Sequence, residues 1–366
     1  MSPALPTSLS GRGNRRSPAR SLLAAVAGAA LLLPALVACG SDDQGPETGK
    51  GNQDASAEEL VIYSGRNEEL IQPILDRLEE AAGVEVSVRY GDSAELAAQI
   101  LEEGERTKAG LFLSQDAGAL GALSKEGLLE ELPAGTLEGV DPAFRSAGDD
   151  WVGVSGRARV VVYDPEQVAE DELPQSVHDL TEPRWKDKVG YAPTNASFQA
   201  FVTGMRVLEG DDTTREWLTD LQANNAQQYD KNTAILDATD KGEIELGLIN
   251  HYYWYQKLAE NEDAVTSRLH FLPGGDPGSL VNVAGVGITA HGGQSEAALR
   301  AVDFLLAEEA QLYFAEETKE YPLAAGVASP VEDLPSLESL EIPEIDLTDL
   351  DSLQETLALL QETGMV

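Results

Sequence analysis

Cysteine is almost missing from this chain: one, Cys39, stands among 366 residues. Internal disulfides and cysteine-built metal cages are therefore excluded. Histidine is scarce too, with four: His178, His251, His270 and His291. No G-x-S-x-G elbow and no Walker loop occurs, so neither a serine hydrolase nor a P-loop nucleotide site is expected. Gly285-Val286-Gly287 sits inside a strand pattern and lacks the third glycine of a dinucleotide fingerprint. An enzyme on this scaffold is disfavoured by these absences together. Basic charge is also in short supply: 25 Lys and Arg face 64 Asp and Glu, a formal net charge of −39. Nucleic acid needs Lys/Arg patches, so it is not an expected partner.

What is present begins with a leader. Arg12, Arg15, Arg16 and Arg20 precede an apolar run from Leu22 to Val37, with no acidic residue before Asp42. That pattern predicts a secretory signal peptide over 1–38. Leu36-Val37-Ala38-Cys39 resembles a bacterial lipobox, in which Cys39 is lipidated and becomes the mature amino terminus. An uncleaved membrane anchor is the competing reading. Pro34 and the brevity of the run weigh against it. Residues 39–58 are polar and read as a flexible tether. The folded part is expected outside the cytoplasm, held by its lipid at the outer face of the cell membrane. With 42% hydrophobic residues, the rest has ample material for a core and a length that suggests about two domains.

Leu60–Tyr63 reads as a buried strand. Leu70, Ile71, Ile74, Leu75 and Leu78 have helical spacing, and Gly83 is a left-handed stop. Val84–Tyr90 alternates as a strand. Asp92-Ser93-Ala94-Glu95 is a capping signature for a helix to about Glu103. Leu111–Leu113 is a strand, and Asp116 opens a helix to about Lys125. This β-α-β-α-β-α order predicts a covered parallel sheet. A loop is expected over 133–150, then strand-like stretches at 151–154 and 159–163. A second α/β set follows: helices near 195–208, 213–224 and 232–241, and a strand over 243–249. Val281–Ile288 reads as a return crossover strand, followed by helices near 296–306 and 308–316 and a final one over 353–360. Repeated crossing between two α/β sets implies a hinge and a cleft.

The stretch Asn250-His251-Tyr252-Tyr253-Trp254-Tyr255 lies where the strand ending at Ile249 turns into a helix. The chain has ten tyrosines, and three fall within four positions here. Open α/β sheets bind ligands at such points. Read alone, Tyr252-Tyr253 is as compatible with core packing as with a site. Adjacent helical side chains diverge by about 100°, although at a helix start both can lean into a cleft. His251 is the obvious ligand by residue type, yet a turn histidine is more often structural. Trp254 and Tyr255 read as packing. Arg157 and Arg159 alternate near the crossover, where they either reach the cleft as counter-charges or bridge the lobes.

Six segments carry a specific resemblance: Val61–Gly65, Ser114–Leu120, Ser155–Tyr163, Trp185–Tyr191, Asn250–Tyr255 and Glu320–Leu323. In this order, from about Leu60 almost to the C-terminus, the chain resembles a bacterial ferric-ion-binding protein, the substrate-binding component of an iron(III) ABC importer. The resemblance implies a two-lobed periplasmic-binding-protein fold of type II, with α/β lobes joined by crossing strands around a ligand cleft. It implies an approximate N-lobe of 59–157 and 283–334, and a C-lobe of 158–282 and 335–366. It further implies a monomer that does no covalent chemistry and hands its cargo to a membrane permease. The family's paired tyrosine ligands match Tyr252 and Tyr253, which demotes His251 to a supporting role. The family often adds a histidine and a glutamate from the N-lobe. Asn67 and Gln115 stand at those places and would face metal or water there. The family's synergistic anion (phosphate, carbonate or citrate) maps to Asn195, Ala196, Ser197, Asn232 and Asn250. The alternative is the same architecture binding an organic anion or polyamine without metal.

Overall fold

The computed structural model describes residues 59–366. The expected signal peptide, tether and Cys39 lie outside the described residues. The first half builds β1 (Glu59–Ser64), α1 (Glu68–Ala82), β2 (Glu85–Tyr90), α2 (Ser93–Glu103), β3 (Leu111–Ser114), α3 (Ala117–Lys125), α4 (Ala134–Leu137) and β4 (Val152–Tyr163). Next come β5 (Val189–Tyr191), α5 (Ala196–Glu209), α6 (Asp211–Ala223), β6 (Gln227–Gln228), α7 (Asn232–Asp240), β7 (Leu246–Asn250), α8 (His251–Glu260) and β8 (Arg268–His270). The chain ends with β9 (Val281–Ile288), α9 (Ser295–Leu305), α10 (Glu308–Tyr313), β10 (Tyr321–Pro322) and α11 (Leu353–Glu362).

Local chemistry explains the element ends. Gly83 takes φ 66° and closes α1, a left-handed conformation cheap only for glycine. Asp92 accepts from the N–H groups of Ala94 and Glu95 and so starts α2. Ile71, Ile74, Leu75 and Leu78 are buried as their spacing requires, but Leu70 is not: it is 39% exposed.

The strands run in the order β2-β1-β3-β9-β4-β7-β5-β6, with β8 and β10 also on β4. β1 is parallel to β2 and β3, as the alternating β-α order requires. β9 lies antiparallel between β3 and β4. The two strand-like stretches at 151–154 and 159–163 are one continuous strand, irregular between Gly153 and Ser155. Its first part pairs with β9 and β10, its last part with β7 and β8. β4 is thus common to both sheets, and every one of its residues is buried. Its alternation also divides the cores. Val160 and Val162 join the larger cluster around Phe112 and Trp151, whereas Val161 and Tyr163 join the smaller one around Phe198, Phe201 and Trp217.

Two expectations change. The loop over 133–150 contains α4 and a 3-10 turn at Pro142–Phe144. The helix expected over 308–316 is α only to Tyr313, then becomes a π-helix over Phe314–Thr318. Side chains of α8 cap that wider turn. Gln256 Nε2 donates to the Thr318 carbonyl, and His251 Nε2 lies 3.0 Å from the Lys319 carbonyl. No helix among the described residues is long and apolar enough to cross a membrane.

Candidate functional site

β7 is buried throughout and delivers Asn250 to the amino end of α8. There Tyr252 and Tyr253 line one cavity of about 120 Å³, their ring centroids 4.2 Å apart. Stacking keeps the two neighbours on a shared wall at the helix start. Burial, reinforced by Tyr253, pushes the Tyr252 phenol well above its ordinary value, while Arg157 opposes the rise. Without the charge of a metal ion in addition to Arg157, that phenol stays protonated.

β4 supplies the opposite charge. Arg157 and Arg159 are two residues apart, hence on one face of the strand, and both line the cavity. They are 5% and 3% exposed. Arg159 sits opposite Asn250 in the strand register. It donates to the Leu248 carbonyl at 3.0 Å and to Asn250 Oδ1 and Ser197 Oγ at 3.4 Å. Its plane lies over Phe198 and Phe201. Burial pulls its pKa down to about 9, countered by Tyr253 and then Tyr252. Among the described residues it has no carboxylate partner, and its Nε is buried and unpaired.

Arg157 Nε lies 4.0 Å from Glu320, and its Nε and Nη2 are likewise buried without a hydrogen-bond partner. Glu320 is committed elsewhere. It takes a bidentate pair from Arg66 at 3.1 and 2.9 Å, and Ser155 donates to it. Burial raises the Glu320 carboxyl, but Arg66 and then Arg157 outweigh that and hold it below its ordinary value.

Three helix amino ends meet at this cavity. Asp116, Asn195 and Asn250, the residues preceding α3, α5 and α8, all line it. Such ends carry positive partial charge and free N–H groups. Asn195 Oδ1 accepts from the Ser197 N–H at 3.0 Å and from its hydroxyl at 2.6 Å. Asp116 Oδ1 accepts from the Ala119 N–H at 3.1 Å, and burial raises its pKa.

Of the residues singled out from the sequence, Gln115, Asn195, Ala196, Ser197, Asn250, Tyr252 and Tyr253 line this one cavity. Asn232 stands just behind the wall, its Nδ2 donating to Asn195 Oδ1 at 3.1 Å and Ser197 Oγ at 3.0 Å. Asn67 is not on the wall. It is exposed and caps α1, accepting from the Leu70 N–H at 3.3 Å. His251 is fully buried beneath the phenols, with the Ala158 N–H donating to its Nδ1 at 3.1 Å. Burial lowers its pKa to about 4, so it is neutral and structural. Trp254 and Tyr255 pack, donating to the carbonyls of Ser267 and Asp333. Asn282 was missed. It lines the cavity, and its Oδ1 accepts from Ala117 and Val283. Its signal was there: it is the one polar side chain in β9. Among the described residues, no three His, Cys, Asp or Glu side chains gather as a metal cluster. A metal here would rely on phenol oxygens.

Two α/β lobes that share a strand, with a polar cavity of about 120 Å³ between them, are the layout of a two-lobed binding protein. The chain belongs to the bacterial extracellular solute-binding protein family, whose model matches residues 106–347. It is 36% identical over 313 residues to the major ferric iron-binding protein of Neisseria meningitidis serogroup B, covering 84% of this chain and 93% of that one. Among solved structures, iron-bound HitA from Pseudomonas aeruginosa superposes with a TM-score of 0.77 at 32% identity, covering 84% of this chain and 99% of that one. The Trichodesmium protein IdiA (FutA), in complex with iron and citrate ligands, gives 0.73 at 25% identity, covering 84% and 99%. These likenesses carry the two-lobed type II fold expected from the sequence.

Proposed function

We propose that this chain captures Fe(III) together with an anion in the cleft cavity and delivers it to the permease of an ABC importer. The observation that carries this reading is the pairing of Tyr252 and Tyr253 on one wall, facing two buried guanidiniums without full partners. Fe(III) is a hard, highly charged cation, and phenolate is a hard anionic oxygen donor. The metal's charge favours deprotonation of phenols that burial otherwise keeps neutral. Arg157, Arg159 and the amino end of α5 would repel a bare cation, so the metal arrives with negative charge of its own. Phosphate, carbonate and citrate all provide it. Asn195, Ala196, Ser197 and Asn250 supply neutral polar contacts for that anion, and Asn232 holds Asn195 and Ser197 in place. Gln115 faces the metal or a water on it. Asn67, engaged as a helix cap, is not a ligand in this reading.

The relatives' names and structures support iron as cargo. The carrier works outside the cytoplasm as a monomer, tied by lipidated Cys39 through a tether, with the lobe boundaries given above. A metal-free organic anion is the second reading, favoured by the same guanidiniums. A polyamine is disfavoured because they would repel it.

Titration with ferric citrate tests the proposal. The wild type should develop a visible phenolate-to-iron charge-transfer band, and the Tyr252→Phe/Tyr253→Phe variant should not. A wild type that stays colourless with every ferric salt and chelate tried would end the iron reading. An anion affinity unchanged by the double substitution would favour the metal-free one.

A further inference from the structure

A second and larger cavity, of about 880 Å³ and open to solvent on one side, lies between residues 138–145 and parts of 321–342. A space of about 310 Å³ shares Pro142, Ala143, Phe144 and Ile342 with it, and Leu280 walls both that space and the cleft cavity. The larger volume falls within the roughly 300–1,000 Å³ usual for small-molecule sites. Its walls are mainly apolar, with Val140, Phe144, Leu323, Val327 and Leu334 among them.

Two buried donor atoms on these walls have no acceptor. Tyr321 is 2% exposed, and its hydroxyl has no hydrogen-bond partner. Arg145 Nε is buried and unpaired, and its Nη1 makes only a 3.4 Å contact with Asp149, whose side chain is 51% exposed. Buried donors are rarely left unmade in folded proteins. The lining carboxylates Glu138, Asp141 and Glu338 are all exposed and give neither donor an acceptor. The missing chemistry is an apolar body that brings acceptor oxygens.

We infer that this cavity is a second ligand site, for a small amphipathic carboxylate or sulfonate whose head is held by Arg145. The inference stands apart from the cargo of the cleft. Equilibrium dialysis of radiolabelled laurate and fluorescence titration with anilinonaphthalene sulfonate, both on the full chain, test it. Each probe should occupy a single saturable site that persists in the Tyr252→Phe/Tyr253→Phe variant. Ala143→Trp, at an exposed position lining both spaces, should weaken binding by narrowing them. Arg145→Gln should weaken it about tenfold, the scale of one charged hydrogen bond. Circular dichroism melts check that each variant folds; if Ala143→Trp does not, Arg145→Gln decides. No saturable binding of either probe overturns the inference. So does binding indifferent to the folded variants, or binding lost with the tyrosine pair.

Discussion

Arg159 is kept at a cost to the fold. Its charge is buried against Phe198 and Phe201 with no carboxylate to answer it, and an uncompensated buried charge destabilises. Arg159→Met should therefore melt within about 1 kcal/mol of the wild type or higher, while ferric citrate affinity falls at least about tenfold. Thermal melts and a chelator competition read the two separately; a large loss of stability with unchanged affinity would reverse the assignment. Glu320 is the opposite case, because it is paired. Glu320→Gln leaves Arg66 buried without its partner and should cost about 3–5 kcal/mol. The acid limb follows from the sign of its shift. A carboxyl held below its ordinary value stabilises the fold above the usual carboxylate range, and that stability is lost as pH falls through the folded pKa. Denaturant titrations below pH 5 should show a steeper loss in wild type than in Glu320→Gln. Residue types alone left Tyr252 and Tyr253 evenly divided between core and cleft, and the arginines between cleft and lobe bridge; the resemblance singled out the tyrosine pair, and the cavity is lined by both pairs. Asn before Glu-Glu-Leu is also a cap signal, and Asn67 does cap α1.

At the scale of elements, the order and type of the main helices and strands could be read from periodicity and caps. What could not be read was contact-dependent. The middle of β4, Ser155-Gly156-Arg157-Ala158-Arg159, carries small and charged residues instead of an apolar run, so the strand looked like two pieces although all of it is buried. The π-turn after Tyr313 depends on Gln256 and His251 from a distant helix, which no local pattern reveals. Close packing is equally hidden. A Cβ on Gly118 would meet the Leu350 carbonyl, and one on Gly121 the Thr348 carbonyl, because α3 lies backbone to backbone against residues 347–351. Gly118→Ala or Gly121→Ala should each destabilise by about 1–3 kcal/mol, measured by urea unfolding. Neutral substitutions would show that this packing is looser than it looks.

For the whole molecule, a net charge of −39 surrounds a cavity of the opposite sign. On the proposed reading, an anionic ferric chelate would be repelled at long range and held at short range. Salt screens the first effect over a Debye length of about 8–10 Å and the second much less. Stopped-flow association of ferric citrate should therefore quicken with ionic strength, whereas a cationic ferric species would slow. Bound cargo should also raise the melting temperature, by about 2.7 kcal/mol of added stability at a hundredfold excess over Kd, and not in the variant lacking both phenols. The strand shared by the two sheets has a last consequence, for anyone who would re-aim this carrier. On one face Arg157 and Arg159 line the cleft cavity, and Val161 and Tyr163 further along that same face belong to the smaller core. On the proposed reading selectivity is rewritten at positions 157 and 159; because Arg159 also donates to the Leu248 carbonyl and Arg157 lies beside Glu320, each member of a two-codon library should be screened for its melting temperature as well as its specificity.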